Sequence, residues 1–181
     1  MGKRVEVTAG FCILWSLLLL TLPLRLILAA MGAAVFHEMC HWAAVRFLGG
    51  QVHGLTIRAA GMVMETNPML PGRELACALA GPMGSFLLAL LYEYAPLLSL
   101  CALSQGCFNL LPLHPLDGGR AVHCVLEMLG RESWMRCIEI GILVVLLGAA
   151  IRIRMGFGPI LVWAMLAIRK IPCKRWRFGV Q

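Results

Sequence analysis

Two histidines stand four residues apart in an otherwise apolar run, His37 and His41 of FHEMCH, with Glu38 directly after the first. On a helix this spacing puts both imidazoles on one face, where they can share a single tetrahedral zinc ion. A carboxylate placed as Glu38 is can take a proton from water activated by the metal and pass it to a leaving amine. HExxH alone is a moderately specific match. Its setting adds weight, because two histidines and a glutamate are costly in a membrane helix and usually face an interior site with partners.

A catalytic zinc needs a third protein ligand and one position left for water or substrate. Asp117, in PLDGG, is the sole aspartate of the chain. It sits in a broken apolar segment, where unwound backbone and Gly118 and Gly119 would let its carboxylate swing toward the metal. The alternative is an Asp-Gly turn outside the membrane; the apolar runs on either side argue against it. The expected centre is therefore one zinc per chain on His37, His41 and Asp117, with Glu38 as the catalytic acid and base.

These residues need a scaffold, and composition restricts its kind. Of 181 residues, 60% are hydrophobic and 14% charged, with a mean hydropathy of +0.83. That leaves too few polar side chains to cover a water-facing surface. The chain reads as an all-α polytopic membrane protein in one intramembrane domain, 1–181, without a soluble regulatory domain. Apolar runs near 9–22, 24–48, 75–92, 96–129, 137–151 and 155–171 give about six transmembrane helices. The fourth is interrupted by Pro112, Pro115, Gly118 and Gly119.

Between the second and third runs, residues 51–66 alternate differently, with Leu55 and Ile57 on one arm, Met62 and Met64 on the other and Ala59-Ala60-Gly61 between them. This predicts a small membrane-associated β-hairpin that packs on the bundle or lines a wet cavity.

Charge supplies an orientation. With a cytoplasmic N-terminus, every Lys and Arg except Arg25, Arg152 and Arg154 falls on the inner side, so both termini are expected in the cytoplasm of a multi-pass cell-membrane protein. Net charge +7 then reflects topology and a basic membrane-surface anchor at Lys170, Lys174, Arg175 and Arg177, and no nucleic-acid partner. Lys3 and Arg4 before the run 11–20 imitate a secretory signal, but cleavage after it would strip away the helix beside HEMCH. The eight cysteines form no CxxC pair and read as small buried residues.

FHEMCH together with NLLPLHPLDGG resembles the site-2 proteases, membrane-embedded zinc metalloproteases with an HExxH helix and a later NxxPxxPxDGG segment. The likeness spans about 11–129 and leans to the short six-helix branch that includes the stage IV sporulation protease, which processes a membrane-associated pro-sigma factor. The resemblance implies the same roles for His37, His41, Asp117 and Glu38, and regulated intramembrane proteolysis of a membrane-embedded or membrane-adjacent protein. It also implies that Asn109 holds substrate backbone or steadies a developing oxyanion, an interhelical hydrogen bond being the other reading. The hairpin near Ala60 and Gly61 would pair with an unwound substrate by strand addition, and other membrane proteins would regulate or inhibit the site.

Two features depart from the family pattern. Ser85 follows Gly81-Pro82 where an asparagine is common, and Ala60-Gly61 replaces a double glycine. Among the remaining polar residues, Cys40 reads as a packed thiol and His114 as an interfacial side chain, while His53 and His123 lack a spaced partner. A non-enzymatic alternative is a metal-binding membrane scaffold or zinc transporter. A transporter would spread exchangeable sites along a pathway, and a scaffold would have no use for Glu38.

Overall fold

The structure is a computed structural model and describes residues 4–58 and 61–152. The expected last crossing at 155–171, the basic tail and Ala60 lie outside the described residues. The chain divides into two compact units, Met1–Met135 and Arg136–Gln181.

The first unit starts with strand β1 (Arg4–Val7) and runs through helices α1 (Ala9–Thr21) and α2 (Leu24–Phe47), strands β2 (Val52–Arg58) and β3 (Gly61–Thr66), and helices α3 (Pro71–Ala89), α4 (Pro96–Asn109) and α5 (Asp117–Met128). Helix α6 (Met135–Arg152) falls almost wholly in the second unit.

The boundaries follow proline and glycine chemistry. Pro23 has no N–H to extend α1 and instead precedes α2 in extended conformation. Pro71 and Pro96 open α3 and α4, where a missing N–H costs nothing. Helices α2 and α5 end alike. Gly49 (φ +81°) and Gly130 (φ +65°) take the left-handed conformation, and the next residues, Gly50 and Arg131, reach back to the carbonyls of Val45 and Leu126, each at 2.8 Å.

The expected interrupted fourth helix appears as two. Helix α4 stops at Asn109, and 110–116 form a non-helical link holding Pro112 and Pro115 before α5 begins at Asp117. At 12 residues, α5 is roughly 18 Å long, well short of a hydrocarbon core of about 30 Å. Among the described residues, α2 is the one helix long and apolar enough to cross a membrane.

The hairpin is present, with β2 antiparallel to β3 in the register Leu55↔Met64 and Thr56↔Val63 and an irregularity between Val52 and Gly54. A third strand was not expected. β1 pairs in parallel with β2 (Val5↔Leu55) in the order β1-β2-β3, with α1 and α2 as the crossover that a parallel pair needs. Four residues of alternation are too short to stand out beside an apolar helix.

Helix α3 is the central post, packing against α2, α4 and α5. Ala33, Leu88 and Ala102 meet in the core, joined by Leu98 and Cys101, and the small residues let three backbones approach closely. The surface reverses the usual pattern. Leu20 is 85% exposed, and Ile13, Val35, Met39, Met83 and Leu87 also face outward, while His37, Ser85 and Ser99 are at most 1% exposed.

Candidate metal centre

Helix α2 turns its polar residues inward at one place. His37 and His41 lie one turn apart with Nε2 atoms 3.1 Å from each other, and their rings meet nearly edge to face at 4.8 Å. Asp117, the first residue of α5, brings Oδ2 to 3.0 Å from both Nε2 atoms.

Both Nδ1 atoms are engaged. That of His41 donates to the backbone carbonyl of Cys77 at 2.7 Å, and that of His37 lies 2.8 Å from Ser85 Oγ. Cys77 and Ser85 both belong to α3, so the central helix orients both imidazoles from behind. A carbonyl only accepts, hence His41 carries a proton on Nδ1.

Close approach of α3 is what makes these bonds possible. A Cβ added at Gly81 would overlap His41 Nε2 and fall 2.6 Å from His37 Nε2, and one at Gly84 would run into the Cys40 thiol. The glycines beside Asp117 act in a way the sequence reading missed. Side chains at Gly118 and Gly119 would strike the backbone of the link before α5, at Leu110 and Leu111 and at Leu113. They let α5 start against that link and fix Asp117, rather than freeing it to swing.

The donor set fits zinc. Three nitrogen and oxygen ligand atoms from two helices lie within 4.8 Å of one another, and their observed 3.0–3.1 Å spacings approach the roughly 3.3 Å separating ligands on a tetrahedral ion with bonds near 2.05 Å. The neighbouring cavity, about 60 Å³, is lined by Glu38, His41, Asp117 and Arg120 together with Met64, Thr66 and Met69. Glu38 therefore shares the cavity with two of the ligands, and β3 and the segment after it form a wall. Arg120 reaches Glu74 of α3 at 3.7 Å across this region.

Other residues fall away from the centre. Asn109 ends α4 half-buried and does not line the cavity, and Gly61 opens β3 opposite Arg58. Cys40, half-buried, packs against Gly84. The His123 ring meets that of His114 edge to face at 5.9 Å, and His53 bonds Asn67 across the base of the hairpin. The residues the sequence reading missed, the Cys77 carbonyl and Arg120, carry no motif signal. Ser85 had one, a hydroxyl amid an apolar helix, but not its partner.

Two comparisons bear on this arrangement. Over 109 residues, or 52% of this chain, the sequence is 28% identical to a zinc metalloprotease of Methanocaldococcus jannaschii. The site-2 protease from the same organism superposes with a TM-score of 0.68, covering 100% of this chain and 96% of that one at 22% identity. The chain therefore has the fold of a site-2 protease. No protein-family model matches the sequence. The chain spans 32% of the length of the metalloprotease it matches. Within this fold, FHEMCH and the aspartate of PLDGG are two segments that meet.

Proposed function

We propose that the chain is a zinc-dependent intramembrane endopeptidase with one zinc per chain, cutting a membrane-embedded or membrane-adjacent protein. One observation carries the reading. His37, His41 and Asp117, up to 80 residues apart, converge in a buried cluster whose cavity also holds Glu38. The inside-out surface supports a lipid setting, since outward apolar side chains on α1, α2 and α3 would be costly in water. The multi-pass topology with both termini in the cytoplasm rests on the distribution of Lys and Arg.

When bound, zinc would supply a Lewis acid that polarises water and the scissile carbonyl. His37, His41 and Asp117 would hold it, leaving a side open to the cavity. Glu38 takes a proton from the attacking water as its oxygen bonds the carbonyl carbon, then delivers that proton to the amide nitrogen as the C–N bond breaks. Among the described residues β3 has a strand neighbour only on its β2 side, so an extended substrate can add along its other edge, with Met64 and Thr66 leading to the cavity. Asn109 and the turn at Ala60 and Gly61 are assigned to substrate handling by motif likeness alone. That likeness also adds a membrane-associated pro-sigma factor in sporulation as a substrate class, with control by membrane-protein regulators.

The test is cleavage of a tagged membrane substrate by the purified chain in detergent, with and without zinc. Zinc-dependent fragments support the proposal. Tight zinc binding with the substrate left intact would favour a metal-binding scaffold.

A further inference from the structure

A neutral imidazole has one N–H, and each imidazole of the cluster has two acceptors within reach of it. At His41 the contest is settled, because the Cys77 carbonyl can only accept and lies 2.7 Å from Nδ1. At His37 it is open. Ser85 Oγ lies 2.8 Å from Nδ1 and Asp117 Oδ2 lies 3.0 Å from Nε2, and both can accept. If the proton sits on Nε2, that nitrogen bonds the carboxylate and has no lone pair for a metal.

We propose that Ser85 is a positioning residue that holds the His37 proton on Nδ1 and so keeps Nε2 available as a ligand, an inference that rests on the metal-centre reading above. Its burial makes the role exacting. His37 is 1% and Ser85 0% exposed, so no solvent stands ready to replace the hydroxyl. Ser85 is also confined, since a Cβ on Gly106 of α4 would come within 3.1 Å of Ser85 Cβ. Without the hydroxyl, Nδ1–H would be a buried donor with no acceptor, and moving the proton to Nε2 lets Asp117 satisfy it. The protein would then trade a metal ligand for an internal hydrogen bond.

The experiment uses the full chain in detergent as wild type, Ser85→Ala and Ser85→Cys, the cysteine keeping bulk but accepting hydrogen bonds weakly. Zinc affinity is measured by competition with a chromophoric chelator, and the His37 tautomer of the metal-free protein by nitrogen NMR of labelled histidine. The expected results are affinity lower by about 10- to 100-fold in both variants and a proton that moves from Nδ1 in wild type to Nε2 in the variants. Folding controls come from metal-free thermal unfolding, and Ser85→Cys stands in if Ser85→Ala does not fold. Equal affinity in wild type and a folded variant, or Nε2–H in the wild-type metal-free protein, overturns the role of Ser85. A wild type that binds no zinc overturns the metal centre instead, and the tautomer comparison still decides Ser85.

Discussion

His41 is oriented by the backbone of Cys77 and not by its side chain, through a 2.7 Å bond from Nδ1 to the carbonyl oxygen. Replacing the thiol therefore leaves the bond in place. Cys77→Ala is expected to keep zinc affinity within about threefold of wild type, whereas His41→Ala removes a ligand and should cost at least about 100-fold. Chelator competition on both proteins checks this, and a Cys77→Ala protein that loses its metal would contradict it.

Gly81 occupies the point where α3 crosses both imidazoles. Gly81→Ala should displace His37 and His41 and lower zinc content in purified protein to a small fraction of wild type. Gly72→Ala, with open space around the added methyl, is the matched control and should bind normally. Metal analysis by mass spectrometry separates the two.

Glu38 lines the cavity with His41 and Asp117 but is not part of the ligand cluster. Glu38→Gln keeps the shape and loses the base, so zinc content should be unchanged while cleavage falls at least about 100-fold. Full activity in this variant would sink the proposed mechanism.

Gly118 and Gly119 set the start of α5 against the backbone of the preceding link, which cannot yield as a side chain can. Gly119→Ala is expected to destabilise the fold by about 1–3 kcal/mol, read as a fall in thermal midpoint, and to weaken zinc binding by moving Asp117. A normal midpoint with normal zinc affinity would mean that the link rearranges freely.

Removing the metal with a chelator should abolish cleavage reversibly, with activity restored by zinc. Far-UV circular dichroism should change little, because α2 and α5 are each held by packing on α3 independently of the ion. Loss of helicity on chelation would show instead that the metal holds the helices together.

Much of this arrangement was legible in the residues. The HEMCH spacing puts two imidazoles on one helical face whatever the fold, the apolar runs give helices near their observed places, and Pro and Gly punctuation marks their ends because it acts through local backbone chemistry. The hairpin was legible for the same reason, as alternation and turn residues are local. β1 was not, since its pairing with β2 lies across two helices.

What the sequence alone determined is thus the donor set and its local geometry: two histidines one turn apart, a glutamate beside them and a single aspartate after a proline-rich break. Only the tertiary structure decided that Asp117 lies 3.0 Å from both imidazoles, that α3 supplies Ser85 and the Cys77 carbonyl behind them, and that β3 walls the cavity. These facts depend on how closely helices approach across tens of residues. That distance is set by where glycine leaves room, at Gly81, Gly84, Gly118 and Gly119, and no local pattern reports which partner fills it.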